Sequence, residues 1–193
     1  MKGLPKITIS LSTPICLAAF CVIYGLGYIS SIVLSVTVHE LGHIAAIYLS
    51  RGKISEITIR PFGAVIKRAE RGTSYFSDIF IALSGPLANI FSFILCMNFS
   101  FSEAFASASL ILAIINLIPA RPLDGYCAVK AFALLFFSPN TSEKICRAIS
   151  LTVLSAIWIF TVYTVIFAKF NLSLLIMTTL LICEAVISRK EII

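Results

Sequence analysis

Long apolar runs separated by short polar stretches dominate the pattern along the chain. A helix needs about 18 or more apolar residues with few charges to cross a bilayer. The runs predict membrane spans at residues 7–25, 28–50, 75–97, 104–118, 145–168 and 172–188. The fourth run continues into a proline-broken segment at 119–125, and apolar helix resumes to residue 137. We therefore expect an all-α polytopic membrane protein of about six transmembrane helices.

We expect these helices to form a single transmembrane domain over residues 1–193, with its core at 28–137 and peripheral helices at 7–25, 145–168 and 172–188. The first run has a second interpretation, since Lys2 and Lys6 precede it as in a signal peptide. No small-x-small cleavage site follows the run, and Phe20 before Cys21 disfavours a lipoprotein-type site. A retained span is the better prediction.

The polar stretch at residues 51–72 has the pattern of a β-hairpin. Apolar and polar side chains alternate in Ile54-Ser-Glu-Ile-Thr-Ile59, as in a half-buried strand. Pro61-Phe-Gly-Ala64 is typical of a turn, and Val65-Ile-Lys-Arg68 follows it. The pattern predicts a short membrane-associated hairpin between the second and third spans.

Composition supports membrane insertion. Hydrophobic residues make up 59% of the chain and charged residues 12%, whereas soluble domains carry about 25% charged residues. The six cysteines include no Cys-x-x-Cys pair, so we predict neither a disulfide framework nor a cysteine metal site. The net charge of +6 comes from basic residues in the connections between apolar runs. That placement is typical of membrane topology and argues against a nucleic-acid partner.

The basic residues also predict the orientation of the chain. In a six-span layout one side carries Lys2, Lys6, Arg51, Lys53, Arg60, Lys67, Arg68, Arg71, Lys144, Arg147, Arg189 and Lys190. Lys169 falls on the other side, and Arg121 and Lys130 lie near the broken fourth span. Because cytoplasmic connections are enriched in Lys and Arg, we expect both termini and the 51–72 hairpin to be cytoplasmic.

His39-Glu40-Leu41-Gly42-His43 lies inside the second predicted span and contains the only two histidines of the chain. Side chains at i and i+4 share a helix face, so both imidazoles can bind one metal ion. Glu40 lies beside that face, where it can accept a proton from a metal-bound water. The alternative is a polar face hydrogen-bonded to neighbouring helices. Ionisable side chains at membrane depth favour the functional interpretation.

A catalytic zinc ion takes three protein ligands and keeps one open position, so a third ligand is required. The acidic residues at membrane depth or at its edges are Asp78, Glu103, Asp124 and Glu184. Asp124 stands in the proline-broken segment, where irregular backbone can line a wet cavity. A turn residue or a helix N-cap is an equal alternative for Asp124. Glu184, with Arg189 following, better fits a solvated helix end.

Together, the motifs resemble the site-2 proteases. His39-Glu-Leu-Gly-His43 is followed by Asn116-x-x-Pro119-x-x-x-Leu-Asp124-Gly125, and Ser84-Gly-Pro-Leu-Ala-Asn89 lies between them. Pro61-Phe-Gly63 after an alternating stretch is similar to the hairpin of the bacterial sporulation-type members, which process a membrane-tethered sigma-factor precursor. The resemblance extends over residues 30–130. Ala64 departs from it, since a second glycine is common there.

The resemblance implies one Zn²⁺ per chain, bound by His39, His43 and Asp124. It implies that Glu40 is the general base and that Asn116 helps to hold the substrate or the oxyanion; bracing the proline break is the alternative role for Asn116. Close helix packing is the favoured role of Gly85 and Asn89.

The implied function is intramembrane proteolysis in a bacterial cell membrane, releasing a regulatory domain or clearing a remnant peptide. Its partners would be a membrane-protein substrate, a membrane-bound regulator and the lipid bilayer. A substrate helix hides its peptide bonds in internal hydrogen bonds, so cleavage requires local unwinding. The 54–68 hairpin offers an edge to which an unwound strand could add.

Two other functions compete with this one. A metal transporter or sensor could use the same histidine pair without needing Glu40, but the sequence shows no second broken span of the kind transporters use. A catalytically dead relative is disfavoured because His39, Glu40, His43 and Asp124 are all present.

Overall fold

The computed structural model of the protein describes residues 6–9, 26–60, 63–68, 74–99 and 103–168, together with 178, 179 and 182. Over these residues the strands are β1 (Lys6–Ile9), β2 (Ile54–Arg60) and β3 (Gly63–Arg68). The helices are α1 (Leu26–Leu49), α2 (Tyr75–Phe99), α3 (Glu103–Leu117), α4 (Asp124–Ala133) and α5 (Pro139–Ala168). The chain divides into two compact units, Met1–Ile115 and Asn116–Ile193.

Three of the described helices are long and apolar enough to cross a membrane: Gly27–Leu49, Tyr75–Met97 and Pro139–Phe167. They correspond to the second, third and fifth predicted spans. Helix α3 is apolar but has 15 residues, a length of about 22 Å at 1.5 Å per residue. That is shorter than a hydrocarbon core of about 30 Å. Of the predicted sixth span, residues 178, 179 and 182 are described, and all three are helical. The six-span count is therefore supported only in part.

The prediction for the first span is wrong at its beginning. Residues 7–9 belong to strand β1, which pairs in parallel with β2; residues 10–25 lie outside the described part. The cause is a sequence match, because Lys-Ile-Thr-Ile in β1 lies against Glu-Ile-Thr-Ile in β2, with Ile7 opposite Ile57 and Ile9 opposite Ile59. Between them the hydroxyls of Thr8 and Thr58 hydrogen-bond at 3.0 Å. Matched β-branched pairs of this kind stabilise neighbouring strands.

The predicted hairpin is confirmed in its strands. Strands β2 and β3 are antiparallel, and the sheet has the order β1-β2-β3. A register irregularity lies between Ile54 and Glu56. The Lys67 ammonium donates to the Glu56 carboxylate at 3.0 Å and lowers the pKa of Glu56. The predicted turn at residues 61–62 lies outside the described residues.

Close backbone contact joins α1 to α2 in the first unit. A Cβ atom added at Gly42 would lie 2.7 Å from the Ser84 carbonyl oxygen and 2.9 Å from the Ala88 Cβ. Real Cβ contacts are not that short, so no larger side chain fits at residue 42 without moving the helices. Small residues permit this kind of approach between membrane helices. The contact fixes which faces of α1 and α2 meet.

In the second unit, α4 packs on α5 through Tyr126, Ala133 and Cys146. Helix α5 begins at Pro139, six residues before the predicted span at 145–168. The Ser138 hydroxyl accepts from the Thr141 amide at 3.4 Å, and Pro139 occupies the first helical position, where its missing N–H costs nothing. Helix α4 ends at Ala133, earlier than the predicted 137, because residues 134–136 form a turn.

Candidate metal centre

The two histidines of α1 lie side by side with their Nε2 atoms facing one another. These atoms are 3.2 Å apart, and the rings meet edge to face at 83°. Both side chains are buried, His39 at 5% and His43 at 9% exposure. Two nitrogen ligands at about 2.0–2.1 Å from a tetrahedral zinc ion are about 3.3 Å apart. The histidine pair therefore already has the spacing of two ligands of one ion.

Helix α2 fixes the tautomer of His43. The His43 Nδ1 lies 2.7 Å from the Ile81 carbonyl oxygen. A carbonyl can only accept, so Nδ1 is the donor in this bond and Nε2 keeps its lone pair for a metal. The Ser84 hydroxyl donates to the same carbonyl at 2.6 Å. Such outer contacts orient metal-binding histidines.

Gly85 keeps open the space that both imidazoles face. A Cβ atom at residue 85 would lie 2.8 Å from the His39 Nε2 and would also collide with the His43 Nε2. Any side chain there would therefore fill the position that a shared metal ion needs. This contact agrees with the predicted close packing at Gly85 and adds a reason for it. The donor atoms and the space together fit a zinc ion.

Two buried polar residues lie one helical turn beyond this contact. Helices α1 and α2 are antiparallel, since His43 contacts Ile81 and His39 contacts Gly85. Ser35 lies four residues before His39 on α1, and Asn89 lies four residues after Gly85 on α2. They are 1% and 0% exposed. Neither the Ser35 hydroxyl nor the Asn89 amide has a hydrogen-bond partner among the residues that the structure describes. The sequence indicated Asn89 as a packing residue but gave no signal for Ser35.

The other predicted site residues occupy distinct positions. Glu40 follows His39 on α1 and is half-buried. Asn116 lies in the last turn of α3, and Asp124 is the half-buried first residue of α4. The N-cap position of α4 belongs to Leu123, so the N-cap alternative for Asp124 is wrong. Its role as a metal ligand stays a prediction, as do the catalytic roles of Glu40 and Asn116.

Sequence reasoning missed Glu143, whose carboxylate binds residues on both sides of Asp124. It accepts from Arg121, from Lys130 at 2.6 Å and from the Tyr126 hydroxyl at 3.3 Å. Arg121 and Lys130 were the basic residues that the predicted orientation left near the broken span, and the structure gives each of them a carboxylate partner. The sequence signal that could have identified Glu143 is the presence of an acidic residue just before an apolar run.

Three comparisons with known proteins show what the chain is similar to. Residues 27–103 match the family model of Peptidase family M50. The chain is 31% identical over 103 residues to Stage IV sporulation protein FB of Bacillus subtilis (strain 168). That alignment spans 49% of this chain and 36% of the relative's length.

The fold is also similar to a solved structure, a site-2 protease from Methanocaldococcus jannaschii. The TM-score is 0.73 at 19% identity, covering 100% of this chain and 95% of the other. The comparison shows a common fold. The resemblance predicted from the motifs is thus confirmed: residues 27–103 match the model of Peptidase family M50, and the fold is similar to that of a site-2 protease.

Proposed function

We propose that the protein is an intramembrane zinc metalloprotease that hydrolyses peptide bonds in or near the transmembrane segments of membrane-tethered proteins. The observation that carries the proposal is the 3.2 Å separation of the His39 and His43 Nε2 atoms, next to a glycine that leaves room for an ion. The match of residues 27–103 to the model of Peptidase family M50 supports peptidase chemistry. A transporter or sensor has no comparable support.

We assign His39, His43 and Asp124 as the ligands of one Zn²⁺ per chain. Bound zinc supplies Lewis acidity, which polarises the scissile carbonyl and lowers the pKa of a water molecule toward about 7. The Glu40 carboxylate accepts the proton of the attacking water and passes it to the leaving amine. The Asn116 amide donates a hydrogen bond to the oxygen on which negative charge develops.

The substrate class follows from the setting of the site. Helices α1 and α2 are long enough to span a bilayer, so a substrate must present its peptide bond at membrane depth. A substrate helix must first unwind, and the extended substrate strand then adds to an edge of the β1-β2-β3 sheet. We infer a membrane-tethered regulatory precursor or a remnant peptide as substrate, a membrane-bound regulator, and a cytoplasmic orientation of both termini.

Replacing the general base tests the proposal. Glu40→Gln keeps the shape of the side chain but removes its basicity, so cleavage should fall by about 100- to 10,000-fold while zinc stays bound. Glu103→Gln is the matched control, because Glu103 is an exposed carboxylate at the start of α3. Cleavage of a tethered substrate and zinc content are measured on the same preparations. Normal cleavage by Glu40→Gln, or wild-type protein that binds no zinc, would exclude this mechanism.

A further inference from the structure

Three charged side chains, Arg121, Lys130 and Glu143, form a cluster within the unit Asn116–Ile193, and the first two flank Asp124 in the sequence. Arg121, three residues before Asp124, donates to the Oε1 of Glu143 on α5. Lys130, on the far side of Asp124, lies 2.6 Å from the Oε2 of the same carboxylate. One acid therefore binds both the segment that enters α4 and the helix itself.

Further bonds fix the same segment. The Arg121 backbone amide donates to the Ser150 hydroxyl on α5 at 3.1 Å. The Arg121 guanidinium lies 4.6 Å from the centre of the Tyr126 ring, and the Tyr126 hydroxyl donates to Glu143 at 3.3 Å. Arg121 is thus attached to α5 through its backbone and its side chain. The placement of the residues before Asp124 depends on this attachment.

The burial of the cluster makes these ion pairs matter more than surface pairs. The Arg121 and Lys130 side chains are 15% and 25% exposed, and Glu143 is 38% exposed. Partly buried charges are screened less than exposed ones, and charge-assisted hydrogen bonds are roughly twice as strong as neutral ones. Without Glu143, the two cations that now share one acid, and that flank Asp124 in the sequence, would repel each other.

We propose that Glu143 is a positioning residue that sets the Asp124 carboxylate for metal binding by holding Arg121 and Lys130, which precede and follow Asp124 in the sequence. The inference rests on the proposed function, since it takes Asp124 as a zinc ligand. It assigns Glu143 no contact with substrate or metal. Its effect is on metal affinity, through the geometry of the segment and the first turn of α4.

The test compares Glu143→Ala, Glu143→Gln and the matched control Glu103→Ala in the full-length purified protein. Zinc affinity is measured by competition with a chromogenic chelator, and thermal unfolding is measured on the metal-free proteins. Outer-shell changes at metal sites lower affinity by about 10- to 100-fold. We expect a loss in that range for Glu143→Ala. Glu143→Gln should lose less, because its amide oxygen still accepts from one cation, and Glu103→Ala should keep the wild-type affinity.

The outcomes separate this inference from a purely structural role. If Glu143→Ala lowers the unfolding temperature but binds zinc as Glu103→Ala does, the inference is wrong. If Glu143→Ala does not fold, Glu143→Gln decides: weakened zinc binding supports the inference and wild-type binding overturns it. Absence of zinc from the wild-type protein would instead reject the proposed function. Normal zinc binding by the wild-type protein and by both Glu143 variants would reject only the positioning role of Glu143.

Discussion

A single methyl group at residue 85 should remove the metal while leaving the fold in place. In Gly85→Ala the new Cβ would lie 2.8 Å from the His39 Nε2 and would collide with the His43 Nε2. Ordinary Cβ contacts begin near 3.4 Å, so the His39 ring must move by about 0.6 Å, the difference between 3.4 and 2.8 Å, to reach an ordinary contact. Metal-ligand distances tolerate about 0.2 Å. The displacement is therefore about three times what a shared ion permits.

The expected loss of zinc affinity is about 100-fold or more, above the upper end of outer-shell effects. That corresponds to about 2.8 kcal/mol, since each 1.4 kcal/mol changes an equilibrium tenfold. The metal-free protein should change much less. Overpacking costs about 1–3 kcal/mol, and replacing a helical glycine by alanine returns about 1 kcal/mol. Most of the effect should thus appear in metal binding rather than in folding.

The assay measures zinc stoichiometry and chelator competition on Gly85→Ala, with helicity by circular dichroism. Gly27→Ala is the matched control, because residue 27 is also a helical glycine of this unit and an added Cβ there meets no atom within 4 Å. It should keep its zinc. Wild-type zinc affinity in a folded Gly85→Ala protein would refute the idea that both Nε2 atoms face a shared ion at this glycine.

Two further predictions concern the sheet and the orientation. Ile66→Pro interrupts β3 opposite Ile57, so it should reduce cleavage of a tethered substrate whose unwound strand adds to the sheet edge. Ile66→Thr keeps the strand propensity at this position and should cleave normally. Equal cleavage by the two variants would contradict edge addition. A reporter that functions only in the cytoplasm should be active when it is fused after Lys190, because the basic connections predict that this end is cytoplasmic. Activity of a reporter that matures only outside the membrane would contradict this orientation.

The elements that the sequence predicted well are those set by local pattern. Long apolar runs and period-2 alternation are properties of neighbouring residues, and α1, α2 and the strands β2 and β3 follow from them. The His39–His43 spacing is likewise local, because a helix fixes the i to i+4 geometry. Strand β1 was missed because its pairing with β2 joins positions 50 residues apart along the chain. Only a comparison of the two Ile-Thr-Ile stretches could have suggested it.

The residues that sequence reasoning missed share a different cause. Glu143 became informative only when three side chains from other turns and from α4 converged on it. Ser35 became informative only when its burial next to α2 was known. Both depend on tertiary packing, which no local pattern encodes. The clear meaning of Gly85 also came from packing, since the sequence indicated close approach but not what approaches.

The two parts of the proposed zinc site are held by different physical means, and the backbone explains why. His39 and His43 belong to a continuous helix whose amides bond within it, so close packing at Gly42 and Gly85 and the bond of His43 to the Ile81 carbonyl can orient them. The segment before Asp124 contains Pro119 and Pro122, which have no amide hydrogen to give. Its remaining amides cannot form a helix ladder, and the Arg121 amide bonds to a side chain instead. Charged side chains must therefore hold this segment in place of backbone hydrogen bonds. For this reason the residue to substitute in this part of the site is an acid on α5, Glu143, rather than a glycine.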